Sequence, residues 1–433
     1  MMRRNPIDHE RLLRLAKRTN ISLLLYAVML FQFTAFLLLA FNRQTLDFQA
    51  LTFAIAMPSV TYLILKSIPK FWKIDRILLT LVLFLCSVSL VTLQDIARAP
   101  STPTDQATYM AVGLGAMVFM IAFIRRLRDW EKWKYPLMIL SLIALALPYF
   151  AGEWLYGAKN WIRVFGVSVQ PSEPVKLSLL LTLSIFFSQR NGRREQLVAL
   201  GFAAALGGLL LAERDLGALL MYFFMTLALF FLGTSNGILT LGGLGIGAIG
   251  ALAAHRMFPY VQKRVEMFMN PWSDPLEYGF QIVQALIAIG SGGMFGMGLG
   301  LGLPRNIPLY HSDFIFAALS EEFGYLFALC LLAVYVLIIM RGISIAMNAR
   351  SSFHTLAAFG VSVLLGVQTL VVVGGNVKLI PLTGATLPFV AAGGSSIVTC
   401  FALLGLLLGI SSINAQYEIE DIRRAEWQEE IPA

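Results

Sequence analysis

Charged side chains are scarce in this sequence. Aspartate, glutamate, lysine and arginine make up 13% of the 433 residues, whereas hydrophobic residues make up 58%. Soluble globular proteins carry about 25% charged and about 45–50% apolar residues. The composition therefore excludes an ordinary water-soluble protein. It predicts a chain embedded in membrane lipid, and we expect no nucleic acid partner.

Cysteine is also rare, and long hydrophilic stretches are few. Cys86, Cys330 and Cys400 fall inside apolar runs, and their spacing fits neither a disulfide framework nor a metal site. We interpret them as packing residues. The longest hydrophilic stretch is 255–313, so we expect one membrane domain and no separate soluble domain.

Apolar runs recur along the whole chain. A transmembrane helix needs about 20 predominantly apolar residues, and about twelve runs approach that length. The predicted fold class is therefore an all-α polytopic membrane protein with about 12 transmembrane helices. The runs fall near residues 21–41, 50–65, 77–94, 108–124, 136–151, 174–188, 196–211, 216–233, 237–254, 314–340, 355–374 and 396–413.

Lysine and arginine are unequally distributed between the connecting segments. Twelve spans place both termini on one side, and roughly two thirds of the basic residues lie on that side, which the positive-inside rule makes cytoplasmic. Both termini are therefore predicted to be cytoplasmic. The segments rich in proline, glycine and isolated charge then fall on the outer face, namely 157–176, 212–217, 255–313 and 376–396.

The outer segment 157–176, GAKNWIRVFGVSVQPSEPVK, ends in a predicted helix start. Ser172 suits the N-cap and Pro174 the first turn. Glu173 and Lys176 then lie one turn apart on the same face, close enough to pair. They form either a neutralised ion pair at an ordinary helix start or part of a polar site below the outer interface.

Two further outer segments carry an isolated acid or helix-breaking residues. LAERDLG (211–217) places Asp215 at the start of a span, either in a solvated turn or in the same site. NVKLIPLTGATLPFVAAGGSS (376–396) is apolar, yet its prolines and glycines exclude an uninterrupted helix. Broken backbone at membrane depth is tolerated when it is buried in protein or lines a cavity. We therefore predict a re-entrant or cavity-lining segment.

The long segment 255–313 contains a short amphipathic element, 280–289, that we expect to lie at the interface. The glycine-rich run 290–302 follows it. That run is either a flexible hinge or a place where backbone approaches a ligand closely. Asp313 ends the segment, either as a first-turn acid favoured by the helix dipole, with Ser312 as the cap, or as a functional carboxylate at the mouth of the span.

Two more acids, Glu321 and Glu322, follow inside the next apolar run. By helical rise they lie about 12 Å deeper than Asp313, too deep to contact the same atom. We expect them to hold neighbouring helices by hydrogen bonds.

These stretches together resemble the SEDS family (shape, elongation, division and sporulation), the group that includes RodA, FtsW and SpoVE. GAKNWIRVFGVSVQPSEPVK is similar to the family's GA-x-x-W-I…QPSE-x-x-K signature. PWSDPLEYGFQIVQALIAIGSGGMFGMGLG, HSDFIFAALSEEFG and PLTGATLPFVAAGGSS follow in the family's order and spacing. The resemblance divides the chain into three parts: an N-terminus with two additional helices (1–76), a ten-span core (77–412) and a cytoplasmic tail (413–433).

The sequence departs from the family pattern at three places. One of them is Ala391-Ala392, where the family has Ser-Tyr. This alanine pair removes two hydroxyl groups, which puts any hydrogen-bonding role there in doubt. The departures are Arg214-Asp215-Leu216-Gly217 for Pro-Asp-Leu-Gly, Ala391-Ala392 for Ser-Tyr, and His311-Ser312-Asp313 for His-Thr-Asp.

The resemblance implies a peptidoglycan glycosyltransferase that polymerises lipid II on the outer face of the bacterial cytoplasmic membrane. Undecaprenyl pyrophosphate is the leaving group, and elongation, division and sporulation roles share this chemistry. Asp313 matches the catalytic aspartate and would act as general base, whereas Glu173, Lys176 and Asp215 match charged positions that support the site. The expected site also includes further cations for an anionic head group, namely Lys159, Arg163, Lys263 and Arg264. Polar residues of the matching motifs complete it: His311, Ser395 and Ser396.

A divalent cation, Mg²⁺ or Mn²⁺, is an expected cofactor with unassigned ligands. The expected partners are lipid II, the nascent glycan and a class B penicillin-binding protein that cross-links the product. Two other functions stay open. A lipid II flippase also needs buried polar groups and broken helices, although it should carry ionisable groups in both halves of the bilayer. A scaffold that only recruits the cell-wall machinery would not need Asp313.

Overall fold

The structure is a computed structural model of the chain. It describes residues 6–42, 46–96, 101–127, 129–155, 158–164, 166–188 and 192–429.

Fourteen α-helices dominate the described residues. They are α1 (Pro6–Asn42), α2 (Phe48–Phe71), α3 (Arg76–Ile96), α4 (Ser101–Arg126), α5 (Lys134–Ala151), α6 (Ser172–Ser188), α7 (Arg193–Ala212), α8 (Leu216–Thr234), α9 (Gly237–Met257), α10 (Pro259–Met269), α11 (Phe280–Gly292), α12 (Ile315–Met347), α13 (Ser352–Asn376) and α14 (Gly394–Glu429). A small antiparallel sheet connects α5 to α6 in the order β1 (Glu153–Leu155), β2 (Ala158–Val164) and β3 (Val167–Val169).

Within the described part of the chain, eleven helical segments are long and apolar enough to cross a membrane. The twelfth predicted span is α6, which has 17 residues and is therefore about 26 Å long, short of the roughly 30 Å hydrocarbon core. Its side chains are mostly buried because α5, α8, α13 and α14 surround it. The predicted all-α polytopic fold is confirmed, and the cytoplasmic position of the termini stays a prediction.

The two N-terminal helices pack against α3, whose apolar stretch is 89% buried. Gln32 of α1 donates from Nε2 to the hydroxyls of Thr61 (2.8 Å) and Ser87 (2.6 Å), which joins α1, α2 and α3 inside the bundle. At the helix ends, Gln94 Nε2 donates to Asp47 Oδ2 at 3.0 Å. Buried polar contacts of this kind fix one arrangement of the helices, so the pair is docked specifically.

Helix α12 is interrupted at Gly324, whose φ of 81° is left-handed. The break frees backbone groups at membrane depth, and these need new partners. The glycine-rich segment supplies them: the Met297 amide donates to the Glu321 carbonyl at 2.8 Å and the Gly298 amide to the Glu322 carbonyl at 3.0 Å. A stretch of irregular backbone therefore replaces helical hydrogen bonds across the break.

The glycines permit this pairing because side chains would not fit. A Cβ on Gly292 would lie 2.1 Å from the Ser320 carbonyl oxygen, and one on Gly296 would lie 2.2 Å from that of Glu322. The sequence analysis considered a hinge or close approach to a ligand. The structure shows instead close approach to the backbone of α12.

The two acids inside α12 hold the same segment. Glu321 Oε1 accepts from the Leu303 amide at 3.0 Å. Glu322 Oε2 accepts from the Gly300 amide at 2.8 Å, and that amide also donates to Asp95 Oδ2 of α3 at 2.8 Å. The predicted hydrogen-bonding role is confirmed: both carboxylates bind this irregular backbone, and Glu322 also meets the neighbouring helix α3 through Asp95.

Candidate active site

A cavity of about 570 Å³ opens at one end of the bundle. Its wall is built from β2, the turn between α7 and α8, α10, the loop before α12 and the segment between α13 and α14. All four segments that the sequence analysis placed on the outer face, 157–176, 212–217, 255–313 and 376–396, contribute to this wall. Four stretches far apart in the chain therefore meet at one site.

The segment between α13 and α14 is non-helical, as its prolines and glycines predicted. The Tyr335 hydroxyl donates to the Pro388 carbonyl at 2.6 Å, and Gln368 Nε2 donates to the Thr386 carbonyl at 2.8 Å. These bonds give partners to carbonyl groups that have no helical hydrogen bond in this non-helical segment. Residues 382–384, 386 and 392–393 contribute to the cavity wall, so the predicted cavity-lining role is confirmed.

Asp313 lies in the cavity wall just before α12. Its Oδ2 faces Gly384 of the broken segment, 3.6 Å from the place that a Cβ there would occupy. Burial raises the pKa of this carboxyl from its ordinary 3.8 to about 6, against the opposing effects of Ser312 and the Arg264 charge. A carboxylate with a pKa closer to neutral is a better proton acceptor.

The start of α12 differs from the prediction. The N-cap is Phe314, with no side-chain cap bond, and the Ser312 hydroxyl donates instead to the Leu309 carbonyl at 3.5 Å. The interpretation of Ser312 as the cap is therefore wrong. Asn376, at the end of α13, fixes this turn: its Nδ2 donates to the Asp313 carbonyl at 2.8 Å and its Oδ1 accepts from the Ala317 amide at 3.2 Å.

Arg264 extends from α10 into the cavity wall. Its Nη1 donates to the carbonyls of Leu382 (3.4 Å) and Thr383 (3.2 Å), which attaches α10 to the broken segment. Burial lowers the pKa of Arg264, while the nearby charges of Asp215 and Asp313 oppose that effect. The guanidinium therefore lies within electrostatic reach of both cavity acids.

Asp215 is the hydrogen-bonding centre of another part of the cavity lining. Its Oδ2 accepts from Asn160 Nδ2 (3.0 Å), Gln170 Nε2 (2.8 Å) and Ser172 Oγ (3.1 Å). Its Oδ1 accepts from the Ala218 amide at 3.0 Å, which caps α8. Asp215 therefore joins β2, α6 and α8 at the cavity wall through hydrogen bonds to both of its oxygens.

Glu173 and Lys176 form the predicted ion pair at 2.8 Å, with side chains 8% and 1% exposed. They lie behind the cavity wall, and neither contributes to its lining. Lys176 Nζ also lies 3.4 Å from Gln368 Oε1, and Gln368 holds Thr386 of the broken segment. The pair therefore supports the wall from within the bundle.

The other predicted cations have different surroundings. Lys159 Nζ donates to the Tyr149 carbonyl at 2.7 Å, outside the cavity lining. Arg163 is exposed on β2, also outside the lining. Lys263 lines the cavity; it pairs with Glu266 at 3.3 Å. Of the predicted cationic set, the structure brings only Lys263 and Arg264 to the cavity wall.

Ser395 and Ser396 line the cavity at the start of α14, as the motif suggested. The Ser396 and Thr386 hydroxyls lie 2.7 Å apart, and Ser395 Oγ accepts from the Gln170 amide at 3.4 Å. His311 lies outside the lining, and burial lowers the pKa of its imidazole.

The alanine pair 391–392 is held through its backbone. The Ala391 carbonyl accepts from Gln106 Nε2 at 3.1 Å, and the Ala392 amide donates to the His311 carbonyl at 2.9 Å. The position therefore keeps its backbone contacts with α4 and with the loop before α12, although both side chains lack hydroxyls.

Sequence reasoning missed several polar residues of the site. Asn160 and Gln170 bind Asp215, Asn376 positions Asp313, and Tyr260 and Arg214 line the wall. All but Tyr260 stand within the quoted motifs. Their residue types alone did not indicate which acid each would contact.

By fold and site, the chain is a polytopic helical membrane protein whose cavity combines an acid of raised pKa with several basic side chains. The model of the FtsW/RodA/SpoVE family, described as cell cycle protein, matches residues 70–416. The chain therefore belongs to this family. The matched range leaves α1 and nearly all of α2 outside the shared core.

Several named relatives are similar over most of the chain. RodA of Mycobacterium tuberculosis, named a peptidoglycan glycosyltransferase, is 35% identical over 333 residues, which cover 72% of this chain and 71% of the relative. Stage V sporulation protein E of Bacillus subtilis is 34% identical over 316 residues, covering 71% and 86%. A probable peptidoglycan glycosyltransferase FtsW of Nitrosococcus halophilus is 37% identical over 297 residues, covering 65% and 76%.

Two solved structures share the fold. A chain from a study of how a peptidoglycan synthase complex coordinates polymerization and crosslinking aligns with a TM-score of 0.67 and 28% identity, over 79% of this chain and 99% of that one. The crystal structure of Thermus thermophilus RodA, a rod shape determining protein, aligns with a TM-score of 0.57 and 28% identity, over 79% and 98%.

Proposed function

We propose that this protein is a peptidoglycan glycosyltransferase that polymerises lipid II at the cavity, on the outer face of the bacterial cytoplasmic membrane. The observation that carries the proposal is that Asp313, Lys263 and Arg264 share one cavity wall. Glycan polymerisation needs a proton acceptor for a sugar hydroxyl and positive charge for a departing diphosphate. The enzyme names of the relatives support the same activity.

In the proposed reaction, the 4-hydroxyl of the acceptor GlcNAc attacks the anomeric carbon of the donor MurNAc. Asp313 takes the hydroxyl proton as the new C–O bond forms. The bond between the anomeric carbon and the diphosphate breaks, and its electron pair leaves with undecaprenyl pyrophosphate. Attack on an α-linked donor from the opposite face gives the β-linked polymer by inversion.

The electrostatics of the wall suit these two roles. A pKa of about 6 leaves Asp313 mostly ionised at pH 7, yet able to accept a proton in the transition state. Arg264 is held by the carbonyls of Leu382 and Thr383. A cation fixed before the reaction stabilises developing negative charge without reorganising.

A divalent cation remains a proposal. Among the residues that the structure describes, no three His, Cys, Asp or Glu side chains are grouped as a metal site requires. Mg²⁺ is instead often held by one or two carboxylates and substrate phosphates, so the diphosphate of the bound donor would supply ligands; the protein ligands stay unassigned, because Asp313 serves as the base. When bound there, the cation would neutralise charge on the diphosphate.

The direct test is polymerisation of purified lipid II by the purified protein without a nucleotide energy source. We expect glycan strands that are resolved by gel electrophoresis, in the presence of a divalent cation and a class B penicillin-binding protein. Lipid II translocation across proteoliposomes with no glycan product would favour a flippase. Assembly of the partner complex with neither activity would favour a scaffold.

We also propose a class B penicillin-binding protein as the cross-linking partner. The structurally similar chain from a peptidoglycan synthase study supports a complex of polymerisation with crosslinking. The additional helices α1 and α2 cover α3 on one side of the core. We therefore place the partner on a different face of the core.

A further inference from the structure

Helix α7 ends in a turn that glycine would ordinarily occupy. The Asp215 amide donates to the Leu210 carbonyl at 2.9 Å and the Arg214 amide to the Leu211 carbonyl at 3.2 Å. This is the hydrogen-bond pattern of a Schellman motif, in which the residue after the C-cap is left-handed and usually glycine. Here that residue is Arg214, with a φ of 65°.

A left-handed conformation is unfavourable for a residue with a Cβ, and arginine lacks the short polar side chain that helps asparagine adopt it. Such outliers persist where the surrounding structure imposes them, often at functional sites. The fold requires only a left-handed residue at this turn. It does not require a long cationic side chain, so the arginine needs a separate explanation.

The side chain of Arg214 lines the cavity. Its guanidinium carbon lies 5.3 Å from the centroid of the Tyr260 ring, which also lines the cavity. The Tyr260 hydroxyl donates to the Leu211 carbonyl at 3.3 Å and so holds the ring against the same turn. Stacking on an aromatic ring orients the planar guanidinium before any ligand arrives.

Arg214 and Arg264 are both close to Tyr260. The two positive charges act to lower the pKa of the Tyr260 phenol, although burial raises it overall. Arg264 in turn interacts electrostatically with Asp313. Two guanidiniums therefore belong to the same cavity as the proposed base, and guanidiniums bind phosphate oxygens in a bidentate geometry.

We propose that Arg214 binds the diphosphate of the lipid-linked sugar donor, together with Arg264. This assignment rests on the proposed polymerase function and names a residue of its substrate site. The donor diphosphate is the relevant group because it gains charge as the glycosidic bond to it breaks. The acceptor must instead present its hydroxyl to Asp313.

The turn suits a test by substitution, because a residue that favours the left-handed conformation relieves backbone strain and so offsets the lost contact with the Tyr260 ring. Arg214→Gly and Arg214→Asn both suit a left-handed position, whereas Arg214→Lys keeps the positive charge and loses the planar guanidinium group. Binding of undecaprenyl pyrophosphate and of undecaprenyl phosphate is measured with the full-length protein in nanodiscs. Arg256→Asn, at an exposed arginine outside the cavity lining, is the matched control.

We expect Arg214→Gly and Arg214→Asn to weaken undecaprenyl pyrophosphate binding about 10- to 100-fold, the range for a lost hydrogen bond to a charged group. Arg214→Lys should be intermediate, the monophosphate should lose less, and Tm should equal or exceed that of the wild type. Unchanged pyrophosphate affinity would overturn the assignment. So would an equal loss for both lipids, or a fall in Tm in both the glycine and the asparagine variants.

Failure of the two proposals can be distinguished. If wild-type protein neither binds undecaprenyl pyrophosphate nor polymerises lipid II, the proposed function itself fails. If the wild type does both and Arg214→Gly binds and polymerises normally, only the role of Arg214 fails.

Discussion

Replacing Asp313 by asparagine removes the proposed base with little change in shape. The turn before α12 should persist, because Asn376 binds the backbone carbonyl of residue 313 and not its side chain. A positioned general base contributes about 10²–10⁴-fold to rate. We therefore expect lipid II polymerisation by Asp313→Asn to fall by at least about 10²-fold, with folding and partner binding retained.

The structure also predicts how Asp313→Asn affects the stability of the fold. The variant should be at least as stable as the wild type, although its polymerisation rate falls. Burial moves the pKa of Asp313 from 3.8 to about 6 in the fold, so ionisation of this carboxyl opposes folding by at most about 3 kcal/mol. Asparagine carries no such charge, and at pH 7 the variant should have an equal or higher Tm. An acid that acts only on the helix dipole would instead stabilise the fold by about 0.3–1 kcal/mol. Its removal would then lower the Tm.

The pKa of Asp313 determines how the stability effect and the polymerisation rate depend on pH. A group whose pKa is raised in the fold gives its full stability below its unfolded pKa and loses it as pH rises through the folded value. Any stability advantage of Asp313→Asn should therefore shrink between pH 7 and pH 4. Wild-type polymerisation should decline as pH falls through about 6, because the base becomes protonated.

The assay compares glycan length and initial rate with purified lipid II and a divalent cation, alongside Tm of each protein. Glu321→Gln is the matched control, since it makes the same chemical change in an acid that holds the Leu303 amide. It should alter stability more than rate. Near-wild-type rate and glycan length in Asp313→Asn would refute the catalytic assignment.

Three further predictions concern the fold. Gly296→Ala should lower Tm, because its Cβ would lie 2.2 Å from a carbonyl oxygen of α12, whereas Gly115→Ala, with open space around it, should not. Lys176→Met should destabilise by about 3–5 kcal/mol in unfolding experiments, because it leaves the buried Glu173 charge unpaired. Deleting residues 1–70 should lower Tm by uncovering α3 yet preserve co-purification with the transpeptidase; loss of the complex from a folded deletion would contradict the proposed partner face.

Much of the architecture follows from local sequence properties. The length of each apolar run depends on neighbouring residues alone, which is why the spans could be assigned. The broken segment 377–393 followed equally from its own prolines and glycines. Only α6 falls short of a full span. The helices that surround it are contacts that no local pattern describes.

The contacts that complete the site were not predictable, because they join distant parts of the chain. Asn160 and Asp215 are 55 positions apart, and Asn376 and Asp313 are 63 apart. The role of the glycines had the same difficulty. Their density left a hinge and close approach to a ligand both open, because the backbone of α12 that they contact depends on the tertiary structure.

The two cavity aspartates show why residue type alone could not assign the base. Asp215 accepts four hydrogen bonds through its two oxygens, so both oxygens are already engaged within the protein. Asp313 lines the same cavity, where burial outweighs Ser312 and Arg264 and raises its pKa. Two identical side chains thereby acquire different chemistry. Asp215 organises the wall, and Asp313 is the one suited to accept a proton.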